Sequence, residues 1–257
     1  MPGRDLIERV RRALSDRYTV LTAVGRGGNA SIFAARDSSG AEVAIKVLHP
    51  ELAVSVAADR FLREIRFASQ LDHPHIARMM DSGEADYLLW YVMPYVPGET
   101  LRQTLRREMR LPIARAVAIA TEVLDALEHA HAHGIAHRDI KPDNIVLAPA
   151  PQGAVLVDLG IARAIATSGD DRVTRSGFVV GTEEYMSPEQ AQGAPDVDGR
   201  TDLYQHHAPP DLRGLRRDVP SELSAVVGRA LAKSRAERWQ RAIEMREALL
   251  PFGGQGA

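Results

Sequence analysis

The sequence predicts an α+β fold of two lobes, and three observations predict it. The first hundred residues carry short β-branched and aromatic runs separated by turn residues. The remainder carries apolar residues at helical spacing. A glycine cluster of Gly25, Arg26, Gly27, Gly28, Asn29 and Ala30 separates the first two strand-like runs. A strand-rich half followed by a helix-rich half is the pattern of a sheet lobe joined to a helical one. A cleft between two such lobes is the default place for a ligand.

The elements follow in order. Residues 1–17 place Leu6, Ile7, Val10 and Leu14 on one stripe, which predicts an amphipathic helix. This stretch lacks the continuous apolar region of a signal peptide. Residues 18–24 and 30–36 read as strands around the glycine turn. Asp37, Ser38, Ser39 and Gly40 mark a turn, and residues 42–48 a third strand. Residues 57–71 have Phe61, Ile65 and Ala68 on one helical face, ended by His73 and Pro74. Residues 88–96 form an apolar strand closed by Pro97 and Gly98, so 18–96 are expected as one lobe with its hinge. In the second lobe, 97–250, helices are expected at 101–107 and 113–133, short strands at 145–147 and 155–157, and a polar loop at 164–176. Two final amphipathic helices are expected at 221–233 and 238–250, with a flexible tail at 251–257.

Composition narrows the function. The 257 residues hold 32 Lys and Arg against 34 Asp and Glu, a formal charge of −2, which argues against a general nucleic-acid binder. The chain has 0 cysteines, which excludes disulfides, thiolate metal sites and thiol catalysis. Its apolar runs fall short of the ~20 residues of a spanning helix, so no transmembrane segment and a cytoplasmic location are expected.

Four motifs carry chemistry. Glycines let backbone N–H groups approach phosphate oxygens. The cluster also fits a looser dinucleotide fingerprint, which requires a helix directly after it, whereas a strand pattern follows here. Taken alone, it could also be a plain hairpin turn. Val43, Ala44, Ile45 and Lys46 place a lysine inside an apolar strand, where it either finds an anionic partner such as Glu64 or snorkels from an edge. His137-Arg-Asp139-Ile-Lys141-Pro-Asp-Asn144 offers a carboxylate base, a cation and an amide oxygen within one loop. Asp158, 14 residues after Asn144, ends a strand before Gly160. His129 and His133, four apart on a helix end with His131 between, could begin a zinc site but need further ligands.

With these residues the chain resembles the eukaryotic-type protein kinase family, in its bacterial Ser/Thr branch, over roughly residues 18 to 250. The resemblance rests on the glycine cluster, the VAIK lysine, the HRD loop, a DLG in place of DFG, and Ser187-Pro-Glu189 in place of APE. It implies a two-lobed kinase fold with an antiparallel β N-lobe plus one helix and a mainly helical C-lobe. It implies ATP and Mg²⁺ as cofactors and protein Ser/Thr hydroxyls as acceptors. Val24, Gly25, Arg26, Gly27, Gly28, Asn29 and Ala30 would cover the phosphates, and Lys46 would hold them and pair with Glu64. Val24, Ile32, Ala44 and Val146 would sandwich adenine, with Met93 as gatekeeper. The Pro94 carbonyl and the Val96 N–H would complete the hinge. Proline lacks an N–H, but only its carbonyl is needed there. Asn144 and Asp158 would ligate Mg²⁺, Asp139 would accept the substrate proton, and Lys141 would reach the γ-phosphate. Thr182 would line the substrate site, and Thr174 and Ser176 stand where such kinases are phosphorylated, possible targets of autophosphorylation or ordinary loop hydroxyls.

The pattern breaks after Tyr204. Thr201, Asp202, Leu203 and Tyr204 match the start of the family's central C-lobe helix, but the following residues match what comes after the next helix. Roughly thirty residues are missing by comparison with the kinase signature set. Burying five or six large side chains is worth on the order of 10 kcal/mol, so the loss would strip support from the HRD loop and expose apolar surface on residues 113–133. Three readings follow: an active kinase whose gap is covered, for instance by a dimer partner; a nucleotide-binding but inactive regulatory module; or a deletion-damaged kinase.

Overall fold

The computed structural model describes residues 2–27, 30–49, 58–159, 185–194, 196–204 and 212–254. They divide into two units, one of residues up to 72 together with 77–96, the other of 73–76, 97–159 and the described residues from 185 onward.

In the first unit, helix α1 (Pro2–Ala13) precedes strands β1 (Tyr18–Arg26), β2 (Ala30–Asp37) and β3 (Glu42–Leu48). Helix α2 (Ala58–Ala68) leads to β4 (Asp81–Ala85) and β5 (Leu88–Pro94). The strands form one antiparallel sheet in the order β1-β2-β3-β5-β4. Strand alternation gives this sheet two different faces. On one, Val20, Phe33, Ala35, Val43, Ile45, Val47, Leu88, Trp90 and Val92 form a buried core with Val10 of α1 and Leu14 just beyond it. Arg9 and Arg11 fix the helix by donating to the carbonyls of Asp86, Val20 and Leu21. On the other face, pairing aligns Ile32 with Lys46, Lys46 with Tyr91, and Ala44 with both Ala34 and Met93. Helix α2 covers part of this face through Phe61, whose ring lies 6.4 Å from that of Tyr91.

The second unit opens with β6 (Glu99–Thr100) and helix α3 (Leu101–Glu108), followed by α4 (Ile113–Ala132). A 3₁₀ turn (Pro142–Asn144) enters the hairpin β7 (Ile145–Ala148) and β8 (Gly153–Leu156), and β6-β7-β8 make a small sheet. Gly98, at φ 135, lets the chain enter this sheet. A Cβ there would lie 2.3 Å from the Leu147 carbonyl oxygen, so only glycine fits. Helix α5 (Pro188–Ala191), a 3₁₀ turn (Gly199–Thr201), α6 (Leu212–Leu215), α7 (Ser221–Ala230) and α8 (Ala242–Leu249) follow.

Two expectations are corrected. The last two helices are shorter than 221–233 and 238–250, because Arg238 and Trp239 lie before α8 with their side chains bonded to backbone carbonyls at Ala232, Lys233 and Val226. The large apolar residues of α4 are not stripped bare either. Val117, Ile119, Val123, Leu124 and Leu127 are buried. Helix α8 lies against α4, tied by Arg241 and the Ile243 N–H to Glu128 at 3.1 Å each. Among the described residues no helix is long and apolar enough to cross a membrane.

Candidate active site

The HRD loop is irregular, and a buried carboxylate holds it. Asp202, two residues beyond the 3₁₀ turn's Arg200, accepts the His137 N–H at 2.8 Å and the Arg138 N–H at 2.6 Å. Its second partner set is His131 on α4, whose Nε2 lies 2.8 Å from the same carboxylate. Arg138 sits at φ 64, a left-handed conformation that costs about 1–3 kcal/mol outside glycine. Charge-assisted bonds to Asp202 offset that strain. The imidazole of His137 is fully buried, and its Nδ1 accepts the Asp139 N–H at 3.3 Å. Burial holds its pKa below the ordinary histidine value, against the opposing pull of Asp202, Asp139 and Asp158. It is a neutral packing group.

This frame presents Asp139. Lys141 Nζ lies 2.7 Å from its Oδ2. Asn144 Nδ2 donates to its backbone oxygen at 2.8 Å and to Oδ2 at 3.0 Å. With its amide nitrogen so engaged, Asn144 keeps Oδ1 as an acceptor. The β7–β8 hairpin pairs Ile145 with Leu156, and Val157 N donates to the Asn144 carbonyl at 3.0 Å. The next residue is Asp158, at φ 71, so the hairpin brings the residues carrying the Asn144 amide and the Asp158 carboxylate to one end. A carboxylate and an amide oxygen fit Mg²⁺, which binds through one or two protein oxygens and completes its shell with water and phosphate. Val146 lies on β7, buried.

The segment from Tyr185 to α5 is tied to this frame. Ser187 and Gln190 form a capping box on α5, and Gln190 Nε2 donates to the Arg138 carbonyl at 2.8 Å. Ser187 also hydrogen-bonds Thr201. Glu189 meets Arg238 through two bonds of 2.7 and 3.0 Å, and the Arg238 guanidinium stacks 4.3 Å from the Tyr204 ring. Burial pushes the Glu189 carboxyl up, but the Arg238 bonds, a backbone hydrogen bond and Ser187 together hold its pKa below the usual range.

In the first unit, Ile32, Ala44, Lys46 and Met93 share one face of the sheet through the pairings above. Val24, Gly25 and Arg26 end β1, and Gly27 follows, its N–H donating to the Ala30 carbonyl at 2.9 Å. Lys46 Nζ lies 5.8 Å from the centroid of the Tyr91 ring. The ion pairs among the described residues do not include Lys46 with Glu64, which stands on α2. Pro94 closes β5, Tyr95 N donates to the Glu42 carbonyl at 3.2 Å, and Val96 follows. Gly28, Asn29, Thr174, Ser176 and Thr182 lie outside the described residues.

The histidines do not gather a metal. His131 is taken by Asp202, and His133 Nδ1 by the His129 carbonyl at 2.8 Å. Among the described residues no group of three or more His, Cys, Asp or Glu is arranged to hold one. Sequence reasoning missed His131 as the third partner of Asp202, and Gln190 and Arg102 as ties to the HRD loop. For His131 the signal lay in its place in the last turn of α4. For the other two, capping and charge pattern offered none.

A sheet with glycines at the end of β1 and a lysine on β3, and a helical unit that groups Asp139, Lys141 and Asn144 on one loop, define a kinase-type domain. The family model described as "Protein kinase domain" matches residues 18–205. The chain is 38% identical to the serine/threonine-protein kinase PknB of Mycolicibacterium smegmatis, covering 92% of this chain and 43% of that protein. It is 43% identical to the serine/threonine-protein kinase pkn3 of Myxococcus xanthus, covering 78% and 38%. The crystal structure of the Mycobacterium tuberculosis PknI kinase domain superposes with a TM-score of 0.75 at 31% identity, covering 91% of this chain and 95% of that one. The chain belongs to the protein kinase family, among its bacterial Ser/Thr members. It spans less than half the length of the curated relatives it matches.

Proposed function

We propose that this chain transfers the γ-phosphoryl group of ATP to Ser or Thr hydroxyls of a protein, with Mg²⁺ held by Asn144 and Asp158. The observation that carries the reading is the cluster of Asp139, Lys141 and Asn144 on one pinned loop, with Asp158 brought beside it by the hairpin. Mg²⁺ supplies charge neutralisation of the phosphates when bound. Asp139 Oδ2 orients the acceptor hydroxyl and takes its proton. Lys141, 2.7 Å from that carboxylate, offers a cation to the transferring group. Lys46 holds the phosphates above the sheet face it shares with Ala44 and Met93, which pack adenine together with Val24, Ile32 and Val146. The hinge groups of Pro94 and Val96 bond the base, and Glu64 pairs with Lys46 once nucleotide is in place. Gly25 to Ala30 cover the phosphates, Thr182 lines the acceptor site, and Thr174 and Ser176 are sites of autophosphorylation. We place the domain in the cytoplasm, where ATP is supplied.

We also propose that the C-lobe lacks its central helix and the next one. The family match ends at residue 205, one residue after the break seen in the sequence. The PknB alignment runs over 271 residues while using 92% of this chain, which leaves about 35 positions of the relative without a counterpart. Docking of α8 on α4 compensates for part of the loss, and a second copy covers the rest.

The test is label transfer from ATP with Mg²⁺ to the chain and to a generic acceptor protein. Asp139→Asn is expected to lower transfer by about 10²–10⁴-fold. A folded wild-type chain that transfers nothing would replace this reading with a nucleotide-binding or deletion-damaged module. Sequencing the source gene settles the gap, since codons found in frame dispose of it.

A further inference from the structure

Arg102 stands in the first turn of α3, a helix fixed by a capping box between Thr100 and Gln103. No acidic residue shares that turn. A cation at a helix N-terminus opposes the helix dipole, so Arg102 does not serve the helix. Its contacts lie elsewhere. Nε donates to Asp143 Oδ2 at 3.2 Å, and Nη2 donates to the Tyr185 hydroxyl at 2.6 Å. The guanidinium carbon lies 5.5 Å from the Tyr185 ring centroid. One side chain thus joins three pieces of chain. Asp143 is on the HRD loop, four residues after Asp139 and one before Asn144. Tyr185 is two residues before Ser187, on the segment that runs from Thr182 to α5. The bond to Tyr185, and secondarily the neighbouring Asp143 carboxylate, hold the Arg102 pKa above its ordinary value, so the cation is permanent.

We propose that Arg102 is a positioning residue for the protein acceptor: it clamps the Tyr185 segment to the HRD loop at the distance a bound polypeptide needs. This rests on the kinase reading above. The clamp touches neither Lys46 nor the hinge, so its loss acts on the acceptor and leaves ATP binding alone. The fork geometry matters, because the carboxylate and the hydroxyl are engaged from different nitrogens of one planar group. A lysine can satisfy one of them but not both together with the ring contact.

The experiment compares wild type, Arg102→Ala, Arg102→Lys and Tyr185→Phe in two readouts. In steady-state kinetics, Arg102→Ala is expected to raise the KM for a protein acceptor about tenfold while the KM for ATP stays within about twofold. Arg102→Lys recovers only part of that, and Tyr185→Phe reproduces the loss of one bond. Arg102→Ala and Tyr185→Phe combined should cost less than the sum of the two, because they remove a shared contact. The second readout is amide hydrogen exchange in peptides covering 185–191, expected to speed up in Arg102→Ala with the α4 peptides unchanged. A rise in ATP KM alone, full recovery by lysine, or unchanged exchange and acceptor KM overturns the clamp. If the wild-type chain transfers no phosphate, the kinase reading falls, and the exchange result by itself decides whether Arg102 holds the segment.

Discussion

The sheet face beneath α1 and the HRD loop are held in place by opposite means. The sheet face is apolar and alternating: Phe33, Val43, Ile45, Val47, Trp90 and Val92 pack on Val10 and Leu14. Its stability is spread over many contacts, each worth about 1.5–3 kcal/mol for a large side chain. The loop has little apolar content. It is held by a few buried ions: Asp202 on two N–H groups and His131, and Glu189 on Arg238. Distributed packing tolerates substitution. A frame of single charged bonds does not, because removing one partner leaves the other buried and unpaired. The candidate active loop is set by directional bonds at Arg138 and Asp139, and the cost is fragility.

Two substitutions sharpen this contrast. Glu189→Ala strands the fully buried Arg238 and is expected to destabilise the second unit by about 3–5 kcal/mol. Replacing both partners with Glu189→Leu and Arg238→Met should recover much of that loss, in denaturant unfolding followed by Trp239 fluorescence. A double variant as unstable as the single would contradict the ionic account. In the sheet unit, Leu14→Ala is expected to cost about 2–5 kcal/mol. Its effect should appear in the unfolding midpoint, with Asp139-dependent transfer retained in the protein that remains folded. Loss of transfer beyond the loss of folded protein would show that α1 acts on the site as well as on the core.

The same contrast explains what could be read from the sequence. Alternation and helical spacing are repeated signals, so α1, β1 to β3, β5, α3 and α4 were legible within a few residues. Strand β4, Asp-Ser-Gly-Glu-Ala, has no apolar run, and it exists because β5 offers it an edge from Val92 to Leu88. That Asp139, Lys141 and Asn144 meet on one loop was legible because they lie within six residues of one another. Arg102, Tyr185 and Gln190 were not, because each acts across tens of residues on a partner that only the folded chain brings near. The final helix was drawn too early for a related reason. Arg238 sits well in a helical pattern, but its five donors find carbonyls and Glu189 in the turn before α8.

Acid is the mildest way to test the polar frame. His137 is fully buried on the loop, and burial depresses its pKa despite Asp202, Asp139 and Asp158. His73 is depressed as well, by burial first and then by the charges of His129 and His75, against the opposing effect of Asp125. Its ring lies 5.6 Å from His75 and 5.2 Å from His129, and His129 lies 4.6 Å from His133, a row of imidazoles that repel one another when protonated. The unfolded chain protonates His73 and His137 near pH 6.5 while the folded chain resists, so the unfolded state binds more protons below that pH. Stability is therefore fully present above pH 6.5 and falls as pH drops, by at most about 1.4 kcal/mol per pH unit for each histidine. The carboxylates held low, Glu189 and Asp198, contribute only at more acid pH, below their unfolded values. Denaturant unfolding measured from pH 7.5 to 5.5 should thus report the histidines alone. His73→Asn should flatten the slope without abolishing it, since His137 remains. A slope unchanged by His73→Asn would place the acid sensitivity entirely on the HRD loop, and a flat wild-type profile would remove it from both.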